Sequence, residues 1–406
     1  MKQLTLLKRK LRRLVNSKNS AGYVNKVMQQ TGWSKAKTTA EMQKAEKLGF
    51  NYAHYVKHRL WLKDASQMEK YIEYQKEARA KLAEAKEEDF AYILQQTGWS
   101  RAKTNKKLKQ AKRLCGASLY DYTLFKMWKL SEAEQKTFYT QAVFDCLFEK
   151  YNTNPAAVQT LVYKVRFAKE FGDLMNRRWF TNGTSLTWEN FHKKTSDLNK
   201  VFAKATASTK GYGAEMINFN DFQDDKELYN YMKSKSYTMF EEAIKQHPAI
   251  AAINESSVNT IRVVTIIDSG ICHHVFTSFR IGMGKIVDNF SAGGIVADID
   301  PENGIVRTDA FNRIGERFSR HPISRHSIKN FQIPMWDEVL KITTAAALRM
   351  AAKGVCIVGW DVAVGSDKVY LIEGNSRPGH ELPQLPYVDI KRGVRSAVEP
   401  FLSKTR

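Results

Sequence analysis

The chain has 406 residues, 43% of them hydrophobic and 26% charged, a composition ordinary for a globular protein of two or three domains and unlike that of a disordered chain. Its apolar runs, such as 261–267 and 355–364, are strand-length and broken by charge, so none reads as membrane-spanning, and the basic N-terminus lacks the apolar core and cleavage site of a secretion signal. The formal charge of +22 is concentrated in residues 1–130, where 29 Lys+Arg stand against 11 Asp+Glu, and such a region would be drawn to a polyanion.

Residues 1–130 contain a duplication. Gln29-Gln-Thr-Gly-Trp-Ser-Lys-Ala-Lys-Thr recurs as Gln95-Gln-Thr-Gly-Trp-Ser-Arg-Ala-Lys-Thr, and helical spacing of apolar residues continues beyond both copies. Each copy predicts a helical hairpin, at about 23–63 and 89–129, with Ser34 and Ser100 as N-caps and a glycine, Gly49 or Gly116, between the paired helices. Trp33, Trp61, Trp99 and Trp128 are expected to bury indole surface where the helices meet. Mixed charges at helical spacing predict a connecting helix over 64–90. Cys115, Cys146, Cys272 and Cys356 are far apart among apolar neighbours, which reads as buried free thiols in a reducing cytoplasm.

From residue 131 to 406 the pattern becomes α+β. A basic amphipathic helix is expected over 160–180, then a strand at Lys200–Lys204, a loop rich in Gly, Ser and Thr over 205–214, and a strand at Glu215–Phe219. Further strands are expected at 258–267, 273–281 and 293–299, and a helix at 336–352. Two apolar strands close the series, Cys356-Ile-Val-Gly-Trp-Asp-Val-Ala-Val and Lys368-Val-Tyr-Leu-Ile-Glu, joined by Gly365-Ser366-Asp367, which has hairpin-turn chemistry.

Antiparallel pairing across that turn brings Asp361 near Glu373, and alternation puts Glu373 and Asn375 on one face. Together they offer hard oxygen ligands of the kind Mg2+ prefers. The Gly/Ser/Thr loop lets backbone amides approach phosphates, with Lys204 at its entrance and Lys210 inside it. Arg262 and Arg280 each interrupt an apolar strand and have few acidic partners nearby in sequence, so they are expected to face a phosphate or an oxyanion rather than form a structural salt bridge. Asn289 and Gly293-Gly294 suit backbone contact with a small ligand. No Ser/His/Asp or Cys/His set stands at recognisable spacing, which argues against a covalent hydrolase. His380, just behind the hairpin, reads as a substrate contact or as a solvated loop histidine.

The ordered set Lys164, Lys204, Glu241, Arg262, Arg280, Asn289, Asp361 and Glu373-Gly-Asn375 resembles the ATP-grasp superfamily. More narrowly, Ser257-Val-Asn-Thr-Ile-Arg, Val287-Asp-Asn-Phe-Ser-Ala-Gly-Gly-Ile, Gly359-Trp-Asp and Ile372-Glu-Gly-Asn-Ser-Arg-Pro-Gly resemble the sugar-transfer-associated ATP-grasp family, related to α-L-glutamate ligase-like proteins, over roughly 120–395. The resemblance implies a two-lobed ATP-grasp fold (lobes about 150–240 and 241–400) preceded by an all-α helical-hairpin repeat region. It implies ATP and Mg2+, or Mn2+ in its place, as cofactors. ATP would be held by Lys164, Lys204, Lys210, Gly211, Gly213, Asn289 and one of the adjacent Glu241 and Glu242, and the metal by Asp361, Glu373 and Asn375; Arg262 and Arg280 would serve the reacting phosphate. Where the family's glycine loop starts with Lys-Pro, this chain has Lys204-Ala.

The implied reaction is carboxylate–amine ligation through an acyl phosphate, releasing ADP and phosphate, on small-molecule or glycan substrates in cell-surface polysaccharide or amino-acid/sugar conjugate synthesis. An ATP-grasp kinase would use the same residues, and a third alternative is a polyanion-binding repeat protein with an idle nucleotide domain. The basic region is expected to recruit an acidic polymer or an anionic membrane surface, placing a cytoplasmic protein at the inner membrane face; nucleic acid is disfavoured because no nucleic-acid-binding motif accompanies the charge.

Overall fold

The computed structural model describes residues 34–40 and 65–402, apart from 184–185, 205–213, 236, 285–289 and 291–292. Most of the first repeat copy, including Trp33 and Trp61, therefore lies outside the described residues. Two compact units divide between Glu88 and Asp89.

In the first unit, residues 35–40 are helical. Ser34 caps them: its hydroxyl accepts from the Lys37 N–H at 3.3 Å, while the Thr38 hydroxyl donates to the Ser34 carbonyl at 3.0 Å. Helix α1 (Ala65–Thr97) begins in this unit and continues into the second.

The second repeat copy opens the second unit with the same device. Gly98, at φ 64°, ends α1, and Ser100 starts α2 (Arg101–Cys115), accepting from the Lys103 N–H at 3.3 Å while Thr104 bonds its carbonyl at 3.1 Å. Gly116 closes α2 in the left-handed conformation that spares glycine a Cβ clash. Then α3 (Leu119–Leu124) starts from a reciprocal Ser118–Asp121 capping box. This helix is short, because Lys126 adopts φ 47° and the chain turns into a 3-10 segment at Met127–Lys129. Leu124, Phe125, Met127 and Leu130 share one apolar cluster with Phe138, Val296, Phe311 and Leu385, so residues 89–130 are packed into the same compact unit as the chain that follows.

After α4 (Gln141–Tyr151), α5 (Pro155–Val162) and α6 (Lys164–Met175), a small antiparallel sheet forms in the order β1-β4-β2-β3. Its strands are β1 (Trp179–Thr181), β2 (Lys200–Lys204), β3 (Ala214–Asn218) and β4 (Met239–Glu242). Val201, Ala203, Ile217 and Phe240 bury one face against Phe191 of α7 (Trp188–Thr195) and Leu228 and Met232 of α8 (Asp225–Ser234). Alternation turns Phe202, Lys204 and Glu241 to the other face.

The larger sheet has the order β11-β10-β5-β6-β7-β8-β9, with every pairing antiparallel. Its main strands are β5 (Thr260–Asp268), β6 (Ile271–Ile281), β7 (Ile295–Asp298), β10 (Ile357–Val364) and β11 (Val369–Asn375), with short β8 (Ala310–Phe311) and β9 (Arg317–Phe318) at one edge. Ile261, Val263, Phe279, Ile281, Val358, Trp360 and Val362 form an apolar face packed on α9 (Trp336–Ala351), α5 and α6. Each fully buried side chain of this size contributes about 1.5–3 kcal/mol. The opposite face is polar in its middle. Its ends are covered by Phe144, Phe148 and Val398, from α4 and α10 (Arg395–Leu402), over Val264 and Phe276, and by Phe125, Phe138 and Leu385 over Val296 and Phe311. Among the described residues no helix is long and apolar enough to cross a membrane.

Candidate active site

The polar middle of the large sheet is one cross-strand row. Glu373 of β11 pairs with Asp361 of β10, Asp361 with Arg262 of β5, Arg262 with Ser278 of β6, and Ser278 with Asp298 of β7. Directly paired residues point to the same side, so chemistry gathers on a strip about 5 Å wide per strand. A register shift between Asp361 and Val362 inserts one extra residue in β11. That bulge lets Leu371 face the apolar core while Glu373 and Asn375 face the polar side. Asn375 is held by its Nδ2, which donates to the Gly359 carbonyl at 3.5 Å.

Arg262 and Arg280 have the acidic partner that their local sequence lacks. The Arg262 guanidinium grips Asp361 through Nε on one oxygen and Nη2 on the other at 3.0 Å, and Arg280 Nη1 reaches the same carboxylate at 2.7 Å. The sequence set an anion against a structural salt bridge for these arginines; here both are bonded to Asp361, which strand pairing, invisible to local sequence, brings to them. Burial acts to raise the Asp361 pKa, but the two guanidiniums outweigh it and hold the carboxyl below its ordinary value, helped by a side-chain hydrogen bond with Glu373. Two carboxyl groups on directly paired residues, with an amide two residues on, form a hard-oxygen set that suits a divalent cation.

A second cluster sits on the small sheet. Glu241 is 3% exposed, and its Oε2 accepts from Arg177 Nε and Nη2 at 3.1 and 2.9 Å and from Lys204 Nζ at 2.7 Å. Its Oε1 is buried with no hydrogen-bond partner among the described residues. Burial pulls the Lys204 pKa below its ordinary value against the opposing pull of Glu241, and Arg177 and Lys164 add to the lowering, so Lys164, the first residue of α6, stands near this cluster. Glu242 turns outward to Arg178, accepting from its backbone N–H at 3.1 Å.

Arg177, which sequence reasoning missed, ties the two sheets together: Nη1 donates to the Leu371 carbonyl at 2.7 Å, one bulge away from Glu373. Its only sequence signal is a basic Asn-Arg-Arg between a helix and a strand. Lys210, Gly211, Gly213 and Asn289 lie outside the described residues. His380 is neither a surface loop histidine nor open to substrate. It is 1% exposed and its Nε2 lies 2.6 Å from Asp121 Oδ1. All four cysteines are free, Cys115 is buried, and Cys146 is exposed against expectation because it falls on the outer side of α4.

The α+β fold thus carries a lysine–glutamate cluster on its smaller sheet and an acid–arginine strip on its larger one. Residues 213–399 match the family model for sugar-transfer associated ATP-grasp. Similar solved structures include the ATP-grasp ligase PsnB complexed with a phosphomimetic variant of minimal precursor, Mg and ADP (14% identity, TM-score 0.37, 66% of this chain and 66% of that one). Others are D-alanyl-alanine synthetase A from Vibrio cholerae (15%, TM-score 0.36, 61% and 64%) and an L-amino acid ligase from Bacillus licheniformis (11%, TM-score 0.35, 61% and 48%). The chain thus spans about two thirds or less of the length of these three proteins. No curated protein matches it.

Proposed function

We propose that the protein is an ATP-dependent ligase that activates a carboxylate as an acyl phosphate and joins it to an amine. The observation that carries this reading is the Glu373–Asp361–Arg262 row with Arg280 on the same carboxylate, which sets cation ligands and anion-binding groups side by side on one sheet face. Asp361, Glu373 and Asn375 would hold Mg2+, which when bound offsets charge on the nucleotide phosphates. Lys204 and Lys164 bind phosphate oxygens. Glu241 rather than Glu242 serves the adenine, because its Oε1 is an unused buried acceptor suited to an amino group.

In the first step a carboxylate oxygen of the substrate attacks the terminal phosphorus, the bond to the bridging oxygen breaks and ADP departs. Arg262 and Arg280 stabilise the charge that builds on the transferred group. In the second step the amine nitrogen attacks the acyl carbon, the carbon–oxygen bond to phosphate breaks, and the nitrogen loses a proton. A carboxylate is a poor electrophile until this exchange gives it a good leaving group. The substrates fitting this reading are small-molecule or glycan acids and amines in cell-surface polysaccharide or amino-acid/sugar conjugate synthesis, in the cytoplasm.

Incubation with ATP, Mg2+ and panels of amino acids and uronic acids, read by mass spectrometry, is expected to show a product lighter by one water than its two substrates. A phosphorylated product that persists in the presence of amines would overturn ligation in favour of a kinase. The exposed Arg101, Lys103, Lys106, Lys107, Lys109, Lys112 and Arg113 on α2, a helix without an acidic residue, support recruitment to an acidic polymer or to an anionic membrane surface. Salt-insensitive retention on anionic vesicles and on uronate polymer, or no retention on either, would rule that out.

A further inference from the structure

We propose that Asp121, in the second repeat copy, is a positioning residue for the candidate active site and acts through His380 on the segment that follows the cation-binding strand. The proposal rests on the reading of Asp361, Glu373 and Asn375 as a cation cradle.

Asp121 is fully buried and its carboxylate is fixed without help from His380. Oδ2 accepts from the Ser118 N–H at 2.8 Å and the Ser118 hydroxyl at 2.7 Å, and Oδ1 accepts from the Gln141 N–H at 3.2 Å. The imidazole of His380 then meets Oδ1 at 2.6 Å, with Phe125 edge-on at 5.8 Å and Phe144 at 6.2 Å. Its other nitrogen lies 3.3 Å from Glu381 Oε2 but without hydrogen-bond geometry, so among the described residues the hydrogen bond that directs the ring is the one to Asp121. A second fastening follows: Gln384 donates to the His380 carbonyl at 2.6 Å and to the Tyr139 carbonyl at 2.9 Å.

Two residues before His380, Pro378 sits so close over β10 that a Cβ on Gly359 would lie 2.6 Å from its side chain. Gly359 pairs with Asn375 and precedes Asp361 by two residues on the same face. Contacts therefore run from Asp121 through His380 and Pro378 to the strand pair that carries all three cradle residues. An apolar pair would fill the same volume. What a carboxylate bonded to an imidazole adds is orientation, which a cation site with fixed ligand directions requires.

The test uses the full chain and compares wild type, His380→Ala, His380→Gln and Glu373→Gln. Amide hydrogen exchange across 374–384 is measured without nucleotide, and binding of a non-hydrolysable ATP analogue with Mg2+ is measured by calorimetry. His380→Ala is expected to speed exchange over 376–381 and to weaken analogue binding roughly tenfold or more, while His380→Gln, whose amide nitrogen can occupy the Nε2 position, recovers to within about threefold. Should His380→Ala fail to fold, Asp121→Asn, which keeps the volume and removes an acceptor oxygen, is expected to show the same two changes. Unaltered exchange, unaltered affinity, or a glutamine variant as defective as the alanine one overturns the proposal. Glu373→Gln separates the two readings: wild-type affinity in that variant sinks the cradle, whereas the exchange data still decide whether Asp121 holds the segment.

Discussion

Arg262 and Asp361 stand opposite each other on β5 and β10, and the guanidinium takes both oxygens of the carboxylate. With Arg280 on the same group, the cation ligand and the anion binders neutralise one another in this structure. A phosphate that engages the arginines releases Asp361, and a cation that engages Asp361 releases the arginines. Binding of Mg2+ and ATP is therefore expected to be mutually reinforcing, and calorimetry should find each weak without the other. Equal ATP affinity with and without Mg2+ would refute this exchange of partners.

The two carboxylates of the cradle should differ in what their loss costs. Asp361→Asn leaves two buried guanidiniums without their counter-charge and is expected to destabilise the fold by about 3 kcal/mol as well as to abolish activity. Glu373→Gln is expected to lower turnover roughly a hundredfold with little change in stability. Denaturant midpoints and initial rates for the pair check this.

Lys204→Met removes one of the two cations on Glu241 and leaves Arg177. The fold should survive, and ATP should bind roughly tenfold more weakly for want of a charged phosphate contact. An unchanged ATP affinity would take Lys204 out of the site.

Asp298 gives a pH signature. Burial, opposed by Arg307, pushes its carboxyl up to about 6 from an unfolded value near 4. Between those values the folded chain holds more protons than the unfolded one, so this residue's contribution to stability is present below pH 4 and is lost as pH rises through 6. Asp298→Asn should flatten the dependence of the unfolding midpoint on pH across that window. A slope identical to wild type would contradict the shift.

A chain beginning at Asp89 should fold and bind nucleotide, because the second compact unit starts there. One beginning at residue 131 lacks Ile93, Phe125 and Met127 from the cluster around Phe138 and Phe311 and should not. Circular dichroism melts of the two truncations distinguish these outcomes.

Elements with strong local signals were legible. The duplicated Thr-Gly-Trp-Ser announced two N-caps, and Ser34 and Ser100 make them with the same bonds. The strands around Asp361 and Glu373 alternated clearly enough to pair correctly in advance. What sequence hid was partnership across distance. The 99 positions separating Arg262 from Asp361 and the 259 separating Asp121 from His380 leave no periodic trace, and Arg177 serves two sheets through contacts that neither helix nor strand pattern encodes.

The bulge in β11 has a consequence for how this hairpin can change. Leu371 and Glu373 are two apart and would share a side in an unbroken strand, yet one belongs to the oily interior and the other to the cradle. Ile372 is the spacer that allows both. Were the bulge ironed out with Ile372 kept in the pleat, Leu371 would hold its place while Glu373 and Asn375 swung beneath the sheet among Trp360 and Val362, so here the more regular strand is the inactive one.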